Sequence, residues 1–185
     1  MLDRDVLSRA FDLLGADLAR RGLFVEIAVY GGSAIMLQFA WRRGTEDVDA
    51  VVRDGFDARA LRPSVAWVAG RMNLAPDWLN DAVGMFTPLQ EDDSLFQACG
   101  TYPAGSEPGL RVLLARPAYL LAMKLKALSS LDRGDRDLAD ARALATHLGI
   151  ASEDALLSLY VSIHGEAPGR ELQRRFPAVL SGGGP

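Results

Sequence analysis

The stretch 33–41, SAIMLQFAW, is apolar on all sides and lies between two β-rich runs, LFVEIAVY (23–30) and DVDAVV (47–52). A helix with no polar face has to be covered on every side. A short buried helix between two strands demands a layered structure in which a sheet supplies one of the covers. Val25, Ile27 and Val29 alternate onto one face of the first run, as a half-buried strand requires. The rest of the chain extends this frame. Residues 3–21 read as a helix with Leu7, Phe11, Leu14 and Leu18 in one stripe and Gly22 as its stop. Residues 56–73 read as helical, with Pro63 opening a second segment. PDWLNDAVG reads as a short helix or turn. LFQACG and LRVLLA read as strands around the loop TYPAGSEPG. From Pro117 the pattern becomes helical over 117–131, 136–148, 152–163 and 169–175. The expected class is α/β (α+β): a mixed sheet flanked by helices, with a helical C-terminal half. The expected organisation is a single domain over 1–180, with a core at 1–116, a helical part at 117–180 and a flexible tail at 181–185.

Composition narrows the function classes. Hydrophobic residues make up 49% of the chain, enough for a real core. The formal net charge of −4 argues against a general basic coat for nucleic acid, while leaving room for a local basic cleft. The N-terminal segment lacks the apolar stretch of a signal peptide, and no apolar run reaches the ~18 residues of a membrane span. A soluble, cytoplasmic protein with no membrane partner is expected. The lone Cys99 has no internal disulfide partner and reads as a small buried hydrophobe. His147 and His164 fall at helix ends without clustering, so no metal is assigned to them. Trp67 and Trp78 read as packing residues.

Two local patterns carry chemistry. In a strand, residues i and i+2 share a face, so Asp47 and Asp49 project together. Two carboxylates about 4 Å apart repel by about 4 kcal/mol at an effective dielectric of 20. A divalent cation reverses the sign of that interaction, and Mg²⁺ takes one or two carboxylates together with phosphate oxygens. Just upstream, Gly31 and Gly32 let a ligand approach the backbone closely. Ser33 is placed to cap the following helix, whose free N–H groups attract phosphate. Taken alone, each pattern also fits a bland structure: a polar strand face, or an ordinary glycine turn.

The second pattern surrounds the chain's only lysines. Of its 20 Lys and Arg residues, only Lys124 and Lys126 are lysines. On a helix, Lys124 is flanked by Leu120, Leu121, Ala127 and Leu128, and Lys126 by Ala122, Met123, Ser129 and Ser130. Lys124 is therefore expected to face inward, where a buried ammonium needs a charged partner. A triphosphate, Asp137 or Asp140 could serve. Arg133 with Asp137, and Arg136 with Asp140, also form i,i+4 pairs that support a helix start.

In combination, YGGS, thirteen intervening residues (34–46) and DVDA resemble the nucleotidyltransferase superfamily related to DNA polymerase β. The segment GGSAIMLQFAWRRGTEDVDAVV is closer to the minimal nucleotidyltransferases of the AbiEii-type toxin group, through Gly31, Gly32, Ala34, Arg43, Thr45, Asp47 and Asp49. A later block, YLLAMKLKALSSLDRGDRDLADARAL, resembles the same group. The resemblance implies two-metal transfer of a nucleoside monophosphate from a nucleoside triphosphate to an acceptor hydroxyl. Asp47 and Asp49 would hold Mg²⁺ (or Mn²⁺). Gly31, Gly32, Ser33, Arg43, Thr45 and Lys124 would bind the nucleotide, with Lys124 also catalytic. The acceptor would be RNA, at the tRNA 3′ end, with Arg42, Arg43, Lys124 and Lys126 lining the cleft. The protein would be the toxin of a toxin–antitoxin or phage-defence pair, with a cognate antitoxin as partner. Transfer to a protein hydroxyl, and a catalytically weak nucleotide- or partner-binding module, are the alternatives. One departure stands out. The wider superfamily often carries a third carboxylate on a later strand, and LRVLLA has none. Glu107, Asp81, Asp137 and Asp140 remain open as substitutes.

Overall fold

The computed structural model describes residues 1–53, 56–85, 87–88, 91–130 and 135–181. The order of elements is α1 (Arg4–Arg20), β1 (Val25–Val29), α2 (Gly31–Gln38), β2 (Val48–Val52), α3 (Ala58–Met72), β3 (Leu79–Asn80), β4 (Phe96–Tyr102), β5 (Leu110–Ala115), α4 (Pro117–Ala127), α5 (Asp135–His147), α6 (Glu153–His164), α7 (Arg170–Gln173) and α8 (Phe176–Leu180). The architecture is a mixed α+β fold, as the sequence pattern implies. No helix among the described residues is long and apolar enough to cross a membrane.

The chain divides into two compact units. The first comprises Met1–Met85 with Phe96–Ala115, and the second Phe86–Leu95 with Arg116–Pro185. The boundary after Ala115 coincides with the change to helical periodicity. The assignment of 86–95 to the helical unit has no signal in the sequence.

The first unit is built on a five-stranded sheet in the order β3-β2-β1-β5-β4. β1 pairs antiparallel with β2 (Val29 opposite Ala50) and parallel with β5 (Ile27 opposite Val112). β4 pairs antiparallel with β5 and carries an irregularity between Ala98 and Gly100. α1 is capped by Asp3, which accepts from the Val6 N–H at 2.8 Å. Its stripe of Leu7, Phe11, Leu14 and Leu18 is fully buried, each side chain contributing about 1.5–3 kcal/mol. α1 is tied to α3 by a buried polar network. The Ser64 hydroxyl donates to Asp17 Oδ2 at 2.7 Å, and Arg21 donates to Ser64 Oγ at 2.6 Å. Burial pushes the Asp17 carboxyl up, but the Ser64 and Arg20 hydrogen bonds and the Arg20 and Arg21 charges outweigh it and hold the group below the usual carboxylate range.

Several local expectations need correction. Pro63 does not open a second segment but lies inside α3. It is tolerated there because the carbonyl left without a helical donor is that of Arg59, in the exposed first turn. PDWLNDAVG is neither a single helix nor a plain turn. It forms the two-residue strand β3, followed by a 3₁₀ turn at Ala82–Met85. Trp78 packs as expected, donating to the Val65 carbonyl at 3.1 Å, whereas Trp67 is exposed with Arg71 over its ring. Cys99 is only half-buried. Its thiol lies 3.7 Å from the Tyr102 hydroxyl, and burial pushes its pKa up.

The second unit is helical. α5 packs on α4 and α8, and α6 packs on α4 and α8. Arg142 donates to the Ala178 carbonyl at 2.7 Å, joining α5 to α8. α8 follows α7 as a separate short helix that the sequence reading does not anticipate. Residues 131–134, including Arg133, and residues 182–185 of the expected tail lie outside the described residues.

Candidate functional site

β1 ends at Val29 and α2 begins at Gly31, with Tyr30 as the cap residue between them. The helix therefore starts three residues earlier than a Ser33 cap requires. Ser33 lies in the first turn and is buried. Its hydroxyl donates to the Tyr30 carbonyl at 2.9 Å rather than capping an N–H. What this turn can offer a ligand is backbone: the first N–H groups of a helix have no intrahelical acceptor.

Gly31 is required by its backbone conformation, while Gly32 leaves room for neighbouring side chains. Gly31 has φ +59, in the left-handed region. A Cβ there would lie 2.7 Å from Asp49 Oδ2, and a Cβ on Gly32 would lie 2.5 Å from an Arg42 guanidinium nitrogen and 3.2 Å from Thr45 Oγ1. The turn is thus bracketed by a carboxylate on one side and by a guanidinium and a hydroxyl on the other.

β2 begins at Val48, so Asp47 precedes the strand instead of lying in it. The reason is local. Thr45 is clamped to Leu2 by paired backbone hydrogen bonds of 2.7 and 2.9 Å, and its hydroxyl donates to the Asp47 carbonyl at 3.0 Å. The two aspartates still share a face. β3 places Asn80 in parallel register with Asp49, and registered neighbours point the same way. Asn80 Nδ2 in turn donates to Asp47 Oδ2 at 3.2 Å. Both carboxylates are partly accessible, and Thr45 is buried behind them.

The first unit therefore brings together Gly31, Gly32, Thr45, Asp47 and Asp49. The guanidinium at the turn belongs to Arg42, while Arg43 is exposed. Asn80 is the residue that the sequence reading misses, since a two-residue strand leaves no periodicity to find. Beside it lies a groove of about 310 Å³, walled by Ala50, Val52 and Leu79 and by Leu61 and Val65 of α3. Glu107 and Asp81 are exposed. Among the described residues no group of three or more His, Cys, Asp or Glu is arranged to hold a metal ion. Two carboxylates on one face remain a donor set of hard oxygens that suits Mg²⁺ or Mn²⁺ with water and phosphate completing the shell.

In the second unit, Lys124 is largely buried, as its flanking leucines imply. Its ammonium donates to Asp137 Oδ1 at 2.5 Å and lies 2.9 Å from Asp140 Oδ2. Lys124 sits in the last turn of α4 and Asp137 in the first turn of α5, so each charge also complements its helix dipole. His164 closes α6. Its Nε2 lies 3.2 Å from the Ala122 carbonyl, and its Nδ1 is buried without a partner.

No family model, curated protein or solved structure matches the chain.

Proposed function

We propose that the protein is a metal-dependent nucleotidyltransferase that moves a nucleoside monophosphate from a nucleoside triphosphate to an acceptor hydroxyl. The supporting observation is the closeness of turn and carboxylate: Asp49 Oδ2 lies 2.7 Å from where a Gly31 Cβ would be, at the start of a helix. An anion at that helix start meets backbone donors and the Arg42 guanidinium, two positive features that favour phosphate. Asp47 and Asp49 are the residues that would hold Mg²⁺ or Mn²⁺. Such an ion, when bound, neutralises charge on the reacting phosphate and stabilises the entering and leaving oxygens. Thr45 fixes the Asp47 backbone, and Gly31 and Gly32 keep the approach to the helix start open. The acceptor in this reading is RNA at the tRNA 3′ end, and the biological role is that of a toxin restrained by an antitoxin.

A second reading, a catalytically weak nucleotide-binding module, draws support from the lack of a third carboxylate at the site among the described residues. Incubation of the full chain with each labelled triphosphate, total tRNA and Mg²⁺ separates the two. Labelled tRNA supports the enzyme, and saturable triphosphate binding without transfer supports the module. Asp47→Asn and Asp49→Asn are each expected to reduce transfer by about 1,000-fold, the several kcal/mol that a metal supplies to such a step, with unfolding temperature unchanged or raised. Undiminished transfer by either variant overturns the assignment.

A further inference from the structure

We propose that Asn80 is a positioning residue for Asp47 and that it restricts the Asp47–Asp49 centre to a single divalent cation. The inference rests on the metal-dependent reading above and deepens it.

The orientation of the Asn80 amide is set by chemistry. Its Oδ1 lies 3.0 Å from the Ala82 backbone N. A backbone N–H can only donate, so the carbonyl oxygen must be on that side and the NH₂ on the other. The NH₂ then meets Asp47 Oδ2 at 3.2 Å and the Asp77 carbonyl at 3.4 Å. An amide NH₂ has no lone pair for a metal. Asn80 therefore occupies the place beside Asp47 without offering a ligand there. It directs Asp47 by holding one carboxylate oxygen and leaves Oδ1 for coordination. The same residue is registered with Asp49 across β2 and β3, so its backbone is fixed beside one aspartate while its side chain holds the other.

Charge leads to the same stoichiometry. Asp47 and Asp49 supply two anionic ligands, enough to hold one divalent ion with phosphate and water completing the shell. A second ion in the same centre needs further anionic ligands, and among the described residues no third carboxylate joins the pair. Asn80 is the position from which one would come. Asn80→Asp keeps the oxygen that accepts from Ala82 and converts the donor facing Asp47 into an anion.

The test is Mn²⁺ titration of the full-length protein by calorimetry, with unfolding temperatures in chelator and in Mn²⁺. Wild type is expected to bind one ion, and Asp49→Asn to lose it. Asn80→Ala should bind one ion at least about 10-fold more weakly, the usual cost of losing a group that orients a metal ligand. Asn80→Asp should unfold at a lower temperature in chelator, because three carboxylates repel. It should gain more from Mn²⁺ than wild type does, through about 10-fold tighter binding or a second ion. If both Asn80 variants shift the chelator unfolding temperature but leave Mn²⁺ affinity and stoichiometry as in wild type, Asn80 is only a turn residue and the inference fails alone. Two ions on wild type also overturn it alone. No Mn²⁺ binding by wild type overturns it together with the metal-dependent reading.

Discussion

Two pairs of closely spaced aspartates, Asp137 with Asp140 and Asp47 with Asp49, are treated differently by the molecule. Asp137 and Asp140, on α5, close around an ammonium supplied by the chain itself, Lys124 on α4. Asp47 and Asp49, at the head of β2, lie at the edge of the glycine turn: the Asn80 amide donates to Asp47, and Asp49 Oδ2 lies 2.7 Å from where a Gly31 Cβ would be. The helical pair is buried with its cation, whereas the strand pair is half-accessible. A fixed internal cation makes two carboxylates into a tie between helices. A half-accessible pair beside a helix start can be reached by a charge from outside. The sequence reading placed Lys124 with the nucleotide. Within its own unit its partners are Asp137 and Asp140, the other option that its buried position left open.

The largest expected effect is at this tie. Lys124→Ala should destabilise the protein by about 3–5 kcal/mol in urea unfolding, because it removes the ammonium from two largely buried carboxylates. Lys124→Met combined with Asp137→Asn and Asp140→Asn should recover most of that loss. Unchanged stability with impaired triphosphate use would break the comparison and return Lys124 to the nucleotide site.

Gly31→Ala comes next. It forces an L side chain into the left-handed region, at about 1–2 kcal/mol, and drives its Cβ against the Asp49 carboxylate. Combining it with Asp49→Ala should remove the clash and leave only the backbone part. If the double variant is no more stable than expected from adding the two single losses, turn and carboxylate are not in contact in solution.

The smallest effect is a pH dependence in the helical unit. Burial, with a contribution from the nearby Lys126 charge, holds the His164 imidazole below its usual 6.5. In the folded protein Nδ1 has no acceptor to receive a proton's hydrogen bond. The unfolded chain therefore binds the proton more readily. Stability should be level above pH 6.5, fall as pH drops below it, and level off once the depressed folded pKa is passed. His164→Gln keeps a donor for Ala122 and should flatten that part of the profile in thermal melts. An unchanged profile would move the titration to another group.

How much of this was legible in the sequence depended on how far apart the cooperating residues lie. The α1 stripe, the alternation in β1 and the helical second half show in the periodicity, because each element buries one face of itself. Asp47, Asp49 and the two glycines show as well, because their neighbours in space are close in the chain. Asn80 is 33 residues from Asp47 and sits on a strand too short to have a pattern. Ser33 misleads because its hydroxyl turns back to the Tyr30 carbonyl, a choice that depends on where α2 begins. Arg42 and Arg43 are adjacent in sequence, and only the fold decides which of them reaches Gly32.

The order of strands has one more consequence, for the chain as it is synthesised. β1 lies between β2 and β5, and its parallel partner is far downstream: Glu26 meets Arg111, 85 residues later. At the usual pace of about 5–20 residues per second, one edge of β1 waits roughly 4–17 s for its neighbour to emerge. Through that interval the glycine turn and Asp49 can already be assembled by the local β1–β2 pairing, while Val25, Ile27 and Val29 stand open beside them. The nascent protein can thus possess its carboxylate face before it possesses a closed sheet, and during that time it depends on chaperones or on rapid synthesis to keep the bare edge from pairing with another chain.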